Sequence, residues 1–198
     1  MTDRRGQAYT LEALIAGLLV LSALLFALQV TAVTPLSAST SSQHIENQQK
    51  SVAEGALIAA DDADALKPGI STIDENGTYY GEGGDGTYIN TYPNDEFGFG
   101  EILTRTFSDT GLVVTVDVRY QNGENSWRTA PMVDRGSPSD HAVTATRSLT
   151  LYEDDPIYDE SGTAIGNWGD DDPFEIADIH EDSDVYTVVV VEVTVWRM

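Results

Sequence analysis

The sequence predicts an α+β protein: a long N-terminal helix, transmembrane at first and then amphipathic, followed by an antiparallel β-sheet head. Three observations carry this expectation. Residues Ala13–Val33 hold no charged side chain. Residues 45–66 repeat apolar side chains at helical spacing. Three stretches beyond residue 110 alternate apolar and polar residues, as half-buried strands do. The resulting division is a leader over 1–12, a transmembrane helix over 13–34, an amphipathic helix over 35–68, and an acidic, β-rich head over 69–198.

The apolar run comes first. Leu, Ala, Val, Ile and Phe dominate it, with Ser22, Gln29 and Thr31 as polar exceptions. At about 1.5 Å per residue it reaches roughly 31 Å, the thickness of a bilayer core. A cleaved secretory signal has a shorter apolar region, and Leu36-Ser37-Ala38 is a poor cleavage site. Arg4-Arg5 suggests twin-arginine export, but no Phe-Leu pair follows it. Arg4 and Arg5 precede the run, and the next basic residue after it is Lys50. The positive-inside bias therefore predicts a single-pass cell-membrane protein with a cytoplasmic N terminus and an extracellular C-terminal domain.

Thr34-Pro35 interrupts the pattern, so the helix is expected either to kink there or to end and restart with Thr34 as cap. A second helix is predicted over about 39–66. Its stripe runs Ile45, Val52, Ala56, Ala59, Ala63 and Leu66, and Lys67-Pro68-Gly69 is expected to stop it. Residues 69–100 are rich in Gly, Asn, Tyr and Asp, which predicts short strands and loops. Leu112, Val114, Val116, Val118 and Tyr120 form one face of a strand. Asn122-Gly123 signals a hairpin leading to a strand around Trp127. Val143, Ala145, Leu149 and Leu151 share a face that Arg147 breaks, so Arg147 requires a carboxylate partner or an edge position. Tyr186–Trp196 reads as a central strand covered on both sides. Glu153–Asp184 is too long for a plain hairpin loop and is expected to carry short structure of its own.

Charge narrows the partners. The chain has 33 Asp and Glu against 10 Lys and Arg, a net charge of −23. The four charges before Pro35 cancel, so the whole excess falls on the later residues. Such a surface repels nucleic acid and leaves no basic patch for phosphate. It fits a halophilic organism, where salt screens carboxylate repulsion, and also an ordinary acidic secreted domain. Scarce lysine, at Lys50 and Lys67 alone, favours the halophile. With no cysteine there is no disulfide, thiolate metal site or cysteine nucleophile.

No catalytic pattern is visible. His44, His141 and His180 are not paired at a metal-binding spacing, and no serine sits in a G-x-S-x-G turn. The expectation is a protein that is not an enzyme and carries no cofactor. Asp154-Asp155, Asp159-Glu160 and Asp170-Asp171-Asp172 with Glu175 raise the question of calcium, but none matches an EF-hand loop, so no metal is predicted. Asn76-Gly77-Thr78 is the only N-x-Ser/Thr sequon, which makes Asn76 a candidate glycosylation site.

The approach to the apolar run reads Arg4-Arg5-Gly6-Gln7-Ala8-Tyr9-Thr10-Leu11-Glu12. In these residues the chain resembles archaeal type IV pilin-like proteins over about its first 34 positions. Precursors of that family carry a basic leader ending in Gly, often followed by Gln, with a Glu just before a long apolar helix. The resemblance implies cleavage between Gly6 and Gln7 by a prepilin peptidase, with Arg4 and Arg5 as recognition residues and the apolar helix retained. It also implies that Glu12 pairs with the new N-terminal amine of a neighbouring pilin-like subunit during assembly. A lone carboxylate at the membrane edge is otherwise costly to bury. Family members commonly place this Glu fifth after the cut; Glu12 is sixth, and a cut after Gln7 would restore the spacing. The expected function is that of a structural subunit, a minor one, of an archaeal type IV pilus-like or secretion filament, membrane-anchored before assembly. The alternative is a single-span anchored cell-surface protein whose β-domain binds a ligand or partner.

Overall fold

The protein is α+β, as the alternation and the helical spacing predict. A computed structural model describes residues 3–74, 76–94, 96–122, 124, 126–171 and 183–197. Helix α1 spans Asp3–Asp62. The chain divides into two compact units, Met1–Ile45 and Glu46–Met198, so α1 contributes to both. Within the first unit the helix continues through Thr34 and Pro35 without restarting. It also covers the described residues of the leader, because no breaker stronger than Gly6 stands before the apolar run.

The second unit begins with the last turns of α1. Its buried positions are Gln49, Ala53, Ala56, Leu57 and Ala60. Ala56 and, beyond α1, Leu66 are buried as predicted, but the rest of the stripe is corrected by about one position, roughly 100° around the helix. Val52 is 40% exposed and Ile58 49%. Ala59 and Ala63 are exposed too. The physical reason is size: alanines let a helix lie close, and the residues they bring inward join Val189, Val191, Val193 and Val195 in one core.

Helix α1 ends earlier than its composition suggests. Asp64 adopts a left-handed φ of 53°. The Ala65 N–H donates to the Ala60 carbonyl at 2.9 Å and the Asp64 N–H to the Asp61 carbonyl at 3.0 Å. That bond pair is a Schellman end, with Asp in the place Gly usually takes. Lys67-Pro68-Gly69 does not stop a helix; it lies inside a second one, α2 (Leu66–Ile70). Pro68 sits in its first turn, where no amide is needed.

The described residues between 71 and 98 are loops, with isolated bridges from Thr72 to Tyr158 and from Tyr88 to Val133. Helix α3 (Phe99–Phe107) follows and was not expected. It buries Phe99, Gly100, Leu103 and Phe107 on one side.

The four-stranded antiparallel sheet has the order β2-β1-β6-β3. Its strands are β1 (Leu112–Gln121), β2 (Trp127–Val133), β3 (Val143–Tyr152) and β6 (Val185–Arg197). Period-2 patterning placed β1, β3 and β6 within a residue or two of these bounds. The Asn122 side-chain oxygen accepts the Glu124 and Ser126 amides at 3.2 and 3.0 Å, shaping the turn into β2. Gly123 lies outside the described residues. The segment after β3 carries a hairpin, β4 (Pro156–Tyr158) with β5 (Ala164–Asn167), and a turn of helix, α4 (Trp168–Asp171).

Strand β6 is central but not covered on both sides. Val189, Val191, Val193 and Val195 are buried, whereas Val188 is 38% exposed and Val190 and Glu192 are half-buried. The reason is that polar groups on the second face pair with one another. Arg119 donates to Glu192 at 2.9 Å, and the Thr144 and Thr194 hydroxyls meet at 2.8 Å.

One carboxylate on that face is poorly placed. Asp117 stands opposite Glu192 on β6. Burial, then repulsion from Glu192 and Asp134, pushes its carboxyl above the ordinary value. The folded chain therefore binds that proton more tightly than the unfolded chain does. Ionised Asp117 subtracts stability above the folded pKa, and the chain gains stability as pH falls through it. Asp117→Asn is expected to raise stability at neutral pH by about 0.5 kcal/mol, the solvent-screened scale of a surface charge. Urea titrations at neutral and acidic pH check this: the advantage over the natural chain should shrink on acidification.

Candidate functional site

The residues implicated by the leader pattern fall in the first turns of α1. Arg4, Arg5 and Gly6 have helical backbone. Gln7 and Glu12 are exposed, and the Thr10 hydroxyl donates to the Gln7 carbonyl at 2.9 Å. A peptidase reads an extended strand, so cutting at Gly6–Gln7 requires this first turn to open. Gly6 lowers that cost by about 1 kcal/mol relative to Ala.

The segment Gln7–Gln29 is long and apolar enough to cross a membrane, and none of it is buried within the protein. It begins earlier than the Ala13–Val33 run because Gln7–Glu12 is continuous helix, which brings Glu12 inside it. Leu11, Leu14, Leu18, Leu21, Leu25 and Leu28 are all more than half exposed. Apolar side chains surround this helix, as lipid or neighbouring helices demand. Single-pass anchoring through it fits the structure.

In the second unit, α1 is fastened to the sheet by charge as well as by its alanines. Arg147 on β3 donates to the Asp61 carboxylate. The sequence required of Arg147 either a partner or an edge; it has both, because β3 is an edge strand. His141 meets Glu46 at 3.0 Å. His44 is exposed on α1, and His180 lies outside the described residues.

The sequon forms a compact turn. Asp74 accepts the Asn76 and Thr78 amides at 2.9 and 2.8 Å, and the Asn76 side-chain amide at 3.2 Å. Burial pulls the Asp74 carboxyl upward, but these bonds outweigh it and hold it below the ordinary value. Gly77 takes a φ of 74°, which a side chain would resist. Asn76 is exposed at the tip.

Asp155 and Asp159, one from each of the first two acidic runs, serve the loops that carry them. Asp155 accepts Lys67 Nζ at 2.8 Å and the Tyr152 amide at 2.7 Å. Asp159 caps its own turn through Ser161 and Thr163, and the Ser161 hydroxyl leads the bonds that lower its pKa. Among the described residues no group of three His, Asp or Glu side chains is arranged to hold a metal ion. Asp172 and Glu175 lie outside them.

The sequence profile of a family of unknown function, DUF7288, matches residues 5–195. No curated protein and no solved structure matches the chain.

Proposed function

We propose that this chain, which belongs to the DUF7288 family, is a pilin-like structural subunit, a minor one, of an archaeal type IV pilus-like or secretion filament. One observation carries the reading. A single helix, Asp3–Asp62, holds the Gly6-Gln7 pattern, an uncovered apolar segment at Gln7–Gln29, and a last part built into an α+β head. Assembly rather than catalysis is the mechanism. The peptidase removes the leader, the apolar helix waits in the bilayer, and copies of that helix become its neighbours in the filament. Exposed Val52 and Ile58 support the same reading, since they offer apolar side chains on the head's own helix. Arg4 and Arg5 before the span support a cytoplasmic N terminus and an external head.

Filaments sheared from cells should contain the chain, and its N terminus should be Gln7. Recovery from membranes alone, with Met1 or Thr2 intact while the peptidase is active, would favour the anchored surface protein instead.

The net charge of −23 supports a high-salt setting. The melting temperature of the detergent-extracted chain should rise from low to molar salt; a flat response removes this part of the reading. Exposed Asn76 at its turn supports glycosylation outside the cell. Mass spectrometry of chain from its own host should find a glycan on the peptide containing Asn76. Asn76→Gln should remove it without moving the melting temperature by more than about 1 °C, since an exposed substitution is worth within about 0.5 kcal/mol.

A further inference from the structure

The four-stranded sheet has two outer edges, and the fold treats them differently. The outer side of β2 is partly closed. Tyr88 bridges to Val133, its N–H donates to the Met132 carbonyl at 2.9 Å, and the Thr87 hydroxyl donates to the Pro131 carbonyl at 3.1 Å. Pro131 has no amide to offer a further strand. The register of β2 on β1 also shifts between Val116 and Asp117. Covering loops, proline and bulges are ordinary ways to keep a strand edge from pairing with another chain.

The outer side of β3 has none of these. The strand runs ten residues with no Pro, Gly, Lys or acid. Its register on β6 is unbroken from Val143 to Leu151. Among the described residues, β6 supplies the backbone partners of residues 143–151, and no other backbone group reaches them. Thr144, Thr146 and Ser148 are exposed. A row of free amides and carbonyls along a regular strand is a template for another strand.

Charge and pattern choose the occupant. Residues 141–152 form the longest stretch of the second unit without an acid. A chain of net charge −23 repels its own copies, and it does so least along this edge. The side chains of β3 are also symmetric in character about Arg147. In an antiparallel pair of β3 strands centred there, Thr146 meets Ser148, Ala145 meets Leu149, Thr144 meets Thr150 and Val143 meets Leu151. Hydroxyls oppose hydroxyls and apolar groups oppose apolar groups, which are stabilising cross-strand pairs. Two Arg147 side chains meet at the centre, but each brings the Asp61 carboxylate it binds, so the charges there are balanced. A slip of two residues would set Arg147 against Ala145 or Leu149 instead. Pairing about a two-fold axis uses the same patch on both chains, as most homodimers do. We infer that β3 is a self-pairing edge: a second copy of this chain adds its own β3 antiparallel, centred on Arg147, and joins two heads through one continuous sheet. The contact is independent of the filament reading, since an anchored surface protein could use it equally.

The lack of cysteine lets introduced thiols read the register directly. The full chain, in detergent and in molar salt that screens its acids, should sediment as a dimer with a dissociation constant near or below about 100 μM. Oxidising a mixture of Thr144→Cys and Thr150→Cys chains should cross-link one to the other. Neither should cross-link alone, because its two sulfurs would stand six residues apart, about 20 Å. Ser148→Glu should weaken dimerisation at least tenfold with an unchanged circular dichroism spectrum, whereas Ser148→Thr should keep the dimer. The inference fails if the chain stays monomeric at about 1 mM. It fails equally if Thr150→Cys cross-links by itself, or if Ser148→Glu leaves the dimer intact, which would assign the contact to the apolar helix. Capture of these thiols in host membranes by a different protein, and not by each other, would also overturn it.

Discussion

Gly100→Ala is expected to cost the head about 3 kcal/mol, the upper range for overpacking a filled interior. A Cβ built at Gly100 falls 1.6 Å from the Pro93 carbonyl oxygen and 2.6 Å from its carbon. That neighbour is backbone, with no side chain to swing aside. Pro93 also sits in the loop held by Glu82 and Arg135, so relief would have to break those bonds or lift α3 away. Lifting α3 uncovers Phe99, Leu103 and Phe107, all at most 2% exposed. Urea unfolding followed by tryptophan fluorescence would measure the loss. A change below about 1 kcal/mol would mean the loop yields freely, contrary to its two sets of bonds.

Gly6→Leu is expected to block processing altogether, the largest functional effect foreseen. The proposed cut lies at the Gly6–Gln7 bond, in helical backbone. Leucine acts twice against cleavage. It fills the space a small residue leaves for the peptidase, and it stabilises the first turn by roughly the 1 kcal/mol that glycine forgoes. The variant should accumulate in membranes with its first six residues retained and should be missing from filaments. Glu12→Gln separates the steps: it should be cleaved normally yet assemble poorly. Efficient trimming of the Gly6→Leu chain would place the processed bond elsewhere or remove the pilin-like reading.

The sheet was legible because side chains on a strand alternate strictly. Val114, Val116 and Val118 can face only one way together, so pattern and register agree. The last part of α1 was harder for the opposite reason. Ala53, Ala56, Ala59, Ala60 and Ala63 surround the helix with small side chains, and hydropathy cannot tell which of them touch the sheet. The choice falls to tertiary partners such as Asp61 with Arg147. The end of α1 was hidden because an aspartate occupies the left-handed position where glycine is the usual sign. Helix α3 was hidden by the glycines around it, although Phe99, Ile102, Leu103 and Phe107 keep helical spacing. Among the sites, the leader residues are legible because they are contiguous.

The order β2-β1-β6-β3 also sets a timetable for synthesis. A ribosome delivers β1 and β2 together, and they can close as a local hairpin. Strand β3 then emerges with nothing to pair with, because its one neighbour in the sheet is β6. The same late strand supplies the other edge of β1. Ten residues of β3 and the free side of β1 therefore stay unsatisfied until residues 185–197 have been made. On the proposed orientation, with the head outside, it would cross as an open polymer and condense on the far side in one late, cooperative step. Until then, exposed strand edges are what a chaperone at the outer surface would have to shield.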